Sequence, residues 1–118
     1  MNESYFPIRF AKRKTTNHIL VYNTLLADRA EMDVQHRQIG FLCIGVHYVI
    51  RRDGTLEIGR PLDVIGAHCK GNENATSIAI AVVGFPGTFT DAQRSTLTSL
   101  VANIKHDYPS VDVKGITI

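Results

Sequence analysis

A single α/β domain, with a central mixed β-sheet flanked by helices, is what this sequence predicts, and three observations carry the prediction. Ser77 to Gly84 (SIAIAVVG) is apolar nearly throughout, as a strand covered on both faces has to be. Arg52-Asp53-Gly54-Thr55 lies between two β-rich runs, and its Asp-Gly pair suits the positive φ angles of a tight hairpin turn. Thr90 precedes a stretch in which Leu97, Leu100, Val101 and Ile104 recur at helical spacing until Pro109. Strands interleaved with helices give a helix-covered sheet. The 118 residues suffice for one such core, spanning 1–118, and not for two.

Taken in order, Tyr5 to Phe10 alternates loosely and reads as an edge strand, with Pro7 marking the edge. His18 to Asn23 (HILVYN) is a compact β-rich run, predicted to be a central strand with His18, Leu20 and Tyr22 on one face and Ile19, Val21 and Asn23 on the other. Asp28 is a candidate cap for a helix from Arg29 to Gln38, ended by Gly40. Met32, Gln35, His36 and Ile39 share one face of it. Ile44 to Arg51 (IGVHYVIR) is the next strand, and Leu56 to Gly59 returns beside it. Pro61 to Cys69 is a loop, and Asn72 to Asn74 a turn. Gly84 to Gly87 turns, the long helix follows, and Val111 to Ile118 alternates as a final strand.

Composition excludes little. An apolar content of 44% and a charged content of 20% are those of an ordinary globule. No apolar run approaches the roughly 20 residues of a membrane helix. Met1-Asn2-Glu3-Ser4 does not open a signal peptide, which points to the cytoplasm (of a host bacterium, for a phage protein). There Cys43 and Cys69 are free thiols. A net charge of +2 makes no case for nucleic acid. The crowding of Arg9, Lys12, Arg13 and Lys14 reads either as solvated surface or as a patch for an anionic partner.

Four stretches carry a resemblance through their order and spacing: Gly45-Val46-His47-Tyr48-Val49-Ile50, Arg52 to Arg60 (RDGTLEIGR), Gly66-Ala67-His68-Cys69-Lys70-Gly71, and Asn74 to Val83. Together they resemble the type 2 N-acetylmuramoyl-L-alanine amidases, which include short phage lysozyme-amidases and the animal peptidoglycan recognition proteins. The match is closest to the phage branch and runs from His18 to Ile118. It implies that family's fold. It also implies a zinc enzyme cutting the amide between the glycan's lactyl group and the stem peptide. In the family two histidines and a cysteine hold the metal, which makes hydroxide available near neutral pH, and a tyrosine and a lysine assist.

Residue by residue, the site departs from that pattern. Tyr22 stands where the first zinc histidine is expected, Val46 where the tyrosine is, and Ile116 where the second histidine is, while the cysteine and lysine positions fall beyond Ile118. A phenol with a pKa near 10 is a poor substitute for imidazole at neutral pH. The expectation is therefore a phage-encoded binding protein without catalysis, cofactor or metal. Its ligand cleft would be formed by Tyr22, Val46, His47, His68, Lys70, Asn74 and Ile116, with Arg9, Lys12, Arg13 and Lys14 as a basic surface. His47 also reads as a hydrogen-bonded core residue. The expected ligand is a small anion such as an immune-signalling nucleotide. The alternatives are a protein target, as for a polymerase inhibitor, or peptidoglycan, either bound or cut by an atypical amidase. His18, His36, His47, His68, Cys43 and Cys69 remain as donors for a metal site of another kind, and an exposed last strand offers an edge to a second copy.

Overall fold

The computed structural model describes residues 11–38, 45–67 and 74–116, and of residues 36–38 the backbone only. The strand expected at Tyr5 to Phe10 and the helix end at Gly40 lie outside the described residues. Strands β1 (His18–Thr24), β2 (Tyr48–Ile50), β3 (Leu56–Ile58), β4 (Ser77–Val83) and β5 (Asp112–Gly115) form one five-stranded sheet in the order β3-β2-β4-β1-β5. Only β3 runs antiparallel to its neighbour. The central place of β4 explains its sequence. With strands on both edges and side chains packed on both faces, every one of its residues is buried.

Alternation along β1 and β4 divides the core. Ile19, Val21, Ile78, Ile80 and Val82 meet Leu100 and Ile104 of α2 (Asp91–Asp107) on one face. On the other face Ala79, Ala81 and Val83 meet Val46, Val49 and Met32, the last from α1 (Arg29–Gln38), with Tyr22 packed alongside. The expected split of β1 into an Ile19/Val21 face and a Tyr22 face is the one observed.

Both helices start on the caps the sequence offers. The Asp28 carboxylate accepts from the Glu31 amide at 2.9 Å, and Thr90 and Gln93 cap each other's backbone in a reciprocal box. Arg29 then fastens α1 to the sheet edge, its amide donating to Glu57 Oε1 and its Nε to the Ile58 carbonyl. The Asp-Gly hairpin closes as expected, with Gly54 at φ 87° and the Arg51 and Thr55 backbones bonded across the turn.

Two boundaries differ from expectation. Of the strand expected from Ile44 to Arg51, only Tyr48–Ile50 is ladder among the described residues, Ile44 lying outside them. Gly45 to His47 bend instead toward the 59–67 loop, where the amides of Gly59, Arg60 and Ala67 donate to the carbonyls of His47, Val46 and Gly45. Of the final strand expected from Val111 to Ile118, the described residues are ladder over Asp112–Gly115, all four exposed, and Gly115 at φ 107° breaks the pleat before Ile116.

The approach at Gly45 permits no side chain: a Cβ there would overlap the carbonyl of Ala67. Because backbone rather than a flexible side chain blocks it, Gly45→Ala should destabilise the fold toward or beyond the upper end of the ~1–3 kcal/mol typical of overpacking. The urea midpoint measures this, and an unchanged midpoint would refute the close approach.

Candidate functional site

The site expected from the sequence gathers only in part. Tyr22 and Val46 lie in the same apolar cluster on the α1 face. Tyr22 is half-buried and Val46 buried. Ile116 does not join them. It packs against the cluster on the α2 face, its amide bonded to the Val21 carbonyl at 3.0 Å. Asn74 is half-buried in a short helical turn that leads into β4. His68 and Lys70 lie outside the described residues.

His47 is fully buried, and both ring nitrogens serve the backbone. Nε2 donates to the Val64 carbonyl at 2.8 Å, and Nδ1 accepts from the Ala79 amide at 3.0 Å. Its pKa falls to about 4, chiefly through burial; the Arg13 and Arg60 charges push the same way and the Val64 carbonyl opposes them. The ring is therefore neutral at neutral pH and clamps β4 to the 59–67 loop. Its described hydrogen bonds are those of a buried structural residue.

Two residues of the basic cluster are engaged in structure. Lys12 pairs with Asp63. Arg13 donates to Thr16 Oγ1 and to the Val64 carbonyl, and its guanidinium lies 5.6 Å from the centre of the Tyr108 ring. Lys14 is exposed, and Arg9 lies outside the described residues. A hollow at the carboxyl ends of β1, β2 and β4 is lined by Ala27, Arg51, Arg52, Asp53 and Val83. Sequence reasoning did not point to it. Its one signal was the pair of arginines before the hairpin.

Sequence reasoning also missed the pairing of His18 with Asp112, Nδ1 to carboxylate, which ties β1 to the edge strand and holds the Asp112 pKa below its usual value. Of the six donors set aside for an alternative metal site, His18 and His47 alone have described side chains, and both rings are engaged. Among the described residues no three His, Cys, Asp or Glu side chains converge on a point that a metal ion could occupy. At the positions that correspond to the family's histidines the chain offers a phenol and an alkyl group on different faces. This donor set does not fit a zinc ion, and no chemical step is derived through one.

The whole chain gives a broader comparison than these positions. The model of the N-acetylmuramoyl-L-alanine amidase family matches residues 12–117. The endolysin of Klebsiella phage KP32 is 38% identical, with 86% of this chain and 74% of that protein covered. The solved endolysin N-acetylmuramoyl-L-alanine amidase LysCS of Clostridium intestinale superposes with a TM-score of 0.84 at 29% identity, over 92% of this chain and 73% of that one. The peptidoglycan recognition protein PGRP-Hd of Alvinella pompejana shares the fold, with a TM-score of 0.76 at 21% identity over 96% of this chain and 80% of that one. These findings overturn the expectation of a protein that is not an enzyme. Relatives that are 33–38% identical over most of the chain are endolysins, and the three departing positions do not outweigh that likeness. By sequence and by fold, this chain belongs to the N-acetylmuramoyl-L-alanine amidase family and is related to the phage endolysins.

Proposed function

We propose that the chain acts on peptidoglycan as an amidase of the endolysin kind, releasing stem peptides from the glycan. The observation that carries this reading is the 38% identity to the KP32 endolysin over 74% of its length. The sheet and its two helices support it, since they superpose on an amidase with a TM-score of 0.84. No described residue is assigned the bond-breaking step.

The small-anion reading has less to rest on. It needs cations held ready for a ligand, and Lys12 and Arg13 are committed to Asp63, Thr16, the Val64 carbonyl and the Tyr108 ring. Exchanging these partners for a ligand would forfeit the bonds already made.

Purified sacculi incubated with the chain should lose turbidity and release stem peptides with a free N-terminal amine, identified by mass spectrometry. Release indistinguishable from a no-protein control, under conditions in which a phage endolysin clears the suspension, would refute the hydrolytic reading. Co-sedimentation without release would leave peptidoglycan binding alone.

A further inference from the structure

We infer that the two strand positions corresponding to the family's zinc histidines are built in this chain as packing joints on opposite faces of the sheet, so that no divalent cation is seated between Tyr22 and Ile116. The inference relies on the family reading only for the identity of those positions. The geometry is the chain's own.

On the α1 face, Tyr22 and Leu26 pack against Met32, Val46, Val49, Ala79, Ala81 and Val83. Apart from the Tyr22 hydroxyl these side chains are hydrocarbon, so the described cluster gives a cation one phenol and no imidazole, thiolate or carboxylate in exchange for its hydration. At the other position, β5 pairs in parallel with β1 up to Gly115 opposite Val21. A regular continuation would set residue 116 opposite Tyr22 and on its face. The positive φ of Gly115 breaks that continuation, and Ile116 settles against the α2-face cluster instead. No other residue fits at 115, because a Cβ would overlap the Val21 carbonyl.

Zinc needs donors about 2.0–2.3 Å from one point, and side chains on opposite faces of a sheet cannot supply them. The nearest imidazole on the strand is no substitute. His18 lies four residues from Tyr22, roughly 13 Å along the strand, and its Nδ1 is held by Asp112.

The test uses the whole chain, stripped with EDTA and returned to metal-free buffer with or without zinc. Retained zinc should be well under about one-tenth of an equivalent, and the melting temperature should not move. A site filled at a zinc concentration 100 times its Kd would instead raise the melting temperature by roughly 10 °C. The double variant Tyr22→His/Ile116→His, checked for folding by circular dichroism, should gain no zinc because the two imidazoles diverge. Stoichiometric zinc in the wild-type chain that Tyr22→Phe removes, or zinc gained by the double variant, would overturn the inference. Stem-peptide release is measured separately on the chain as purified, before any stripping. Its absence would refute the proposed activity and leave the metal result to be judged on its own.

Discussion

Lowering the pH from 7 to 4 should cost this protein roughly 3 kcal/mol of stability through one side chain, His47. Its ring is fully buried and neutral, with a pKa of about 4 in place of 6.5. Between those values the unfolded chain binds a proton that the folded chain refuses. Stability therefore rises with pH across this window. It is complete above about 6.5 and is lost as pH falls toward about 4. The structural reason is that Nδ1 accepts the Ala79 amide. Protonation would turn that acceptor into a second donor, facing an N–H inside the core. Asp53, Asp63 and Asp112 also titrate with folding, but their pKa values are lowered from 3.8, so their contributions disappear at lower pH. Urea midpoints from pH 7 to pH 4 measure the effect. His47→Gln keeps a donor within reach of the Val64 carbonyl and leaves the Ala79 amide unpaired. It should cost about 1–3 kcal/mol at pH 7 and flatten the pH dependence. If the wild-type midpoint does not move between pH 6.5 and 4.5, the buried neutral ring is wrong.

How much of this was legible in the sequence depended on the range of the interaction. Short-range signals transferred well. The Asp-Gly turn and the caps Asp28 and Thr90 act through neighbours in the chain, the burial of β4 is written in its own apolar composition, and each stands where the sequence places it. Contacts made across the sheet were not legible. Lys12 meets Asp63, His18 meets Asp112, and Arg13 lies over Tyr108 only because the strand order brings distant segments together. Two members of the basic run, Lys12 and Arg13, thus looked available when they were partnered. The expected site positions gather only in part, Tyr22 and Val46 in one cluster and Ile116 against the other, and the reading of them as the end of catalysis went too far. Five family positions were weighed alone, three of them substituted and two expected past Ile118, whereas the likeness to endolysins extends over most of the chain.

Gln93 was missed, although its signal was present: Thr90-Asp91-Ala92-Gln93 has the spacing of a capping box. It should prove one of the costliest polar residues to replace. Its side chain is fully buried where β2, β4, the hairpin and α2 converge. Nε2 donates to the Val83 carbonyl at 2.7 Å and reaches the Ile50 carbonyl at 3.5 Å. Oε1 accepts from the Thr90 amide at 3.0 Å and from Arg52 at 3.3 Å. Arg52 in turn donates to the carbonyls of Thr88 and Val83. One amide thus joins the carboxyl ends of two strands to the start of the long helix. Gln93→Leu preserves the volume, removes the acceptor of the Thr90 amide and leaves the Val83 carbonyl with the longer Arg52 contact in place of its 2.7 Å bond. At about 1–3 kcal/mol for each group left short of a partner, the expected loss is roughly 2–4 kcal/mol, a large share of the 5–15 kcal/mol that holds a typical domain together. Gln93→Glu keeps the acceptor for Thr90 and gains charge with Arg52, but it sets a carboxylate against the Val83 carbonyl. The two substitutions should therefore differ in salt dependence while both lower the urea midpoint. A double-mutant cycle with Arg52→Leu should give a coupling of about 1 kcal/mol or more. Additive effects would mean that the hairpin and the helix cap are held independently, and a leucine tolerated at 93 would mean that the junction rests on packing alone.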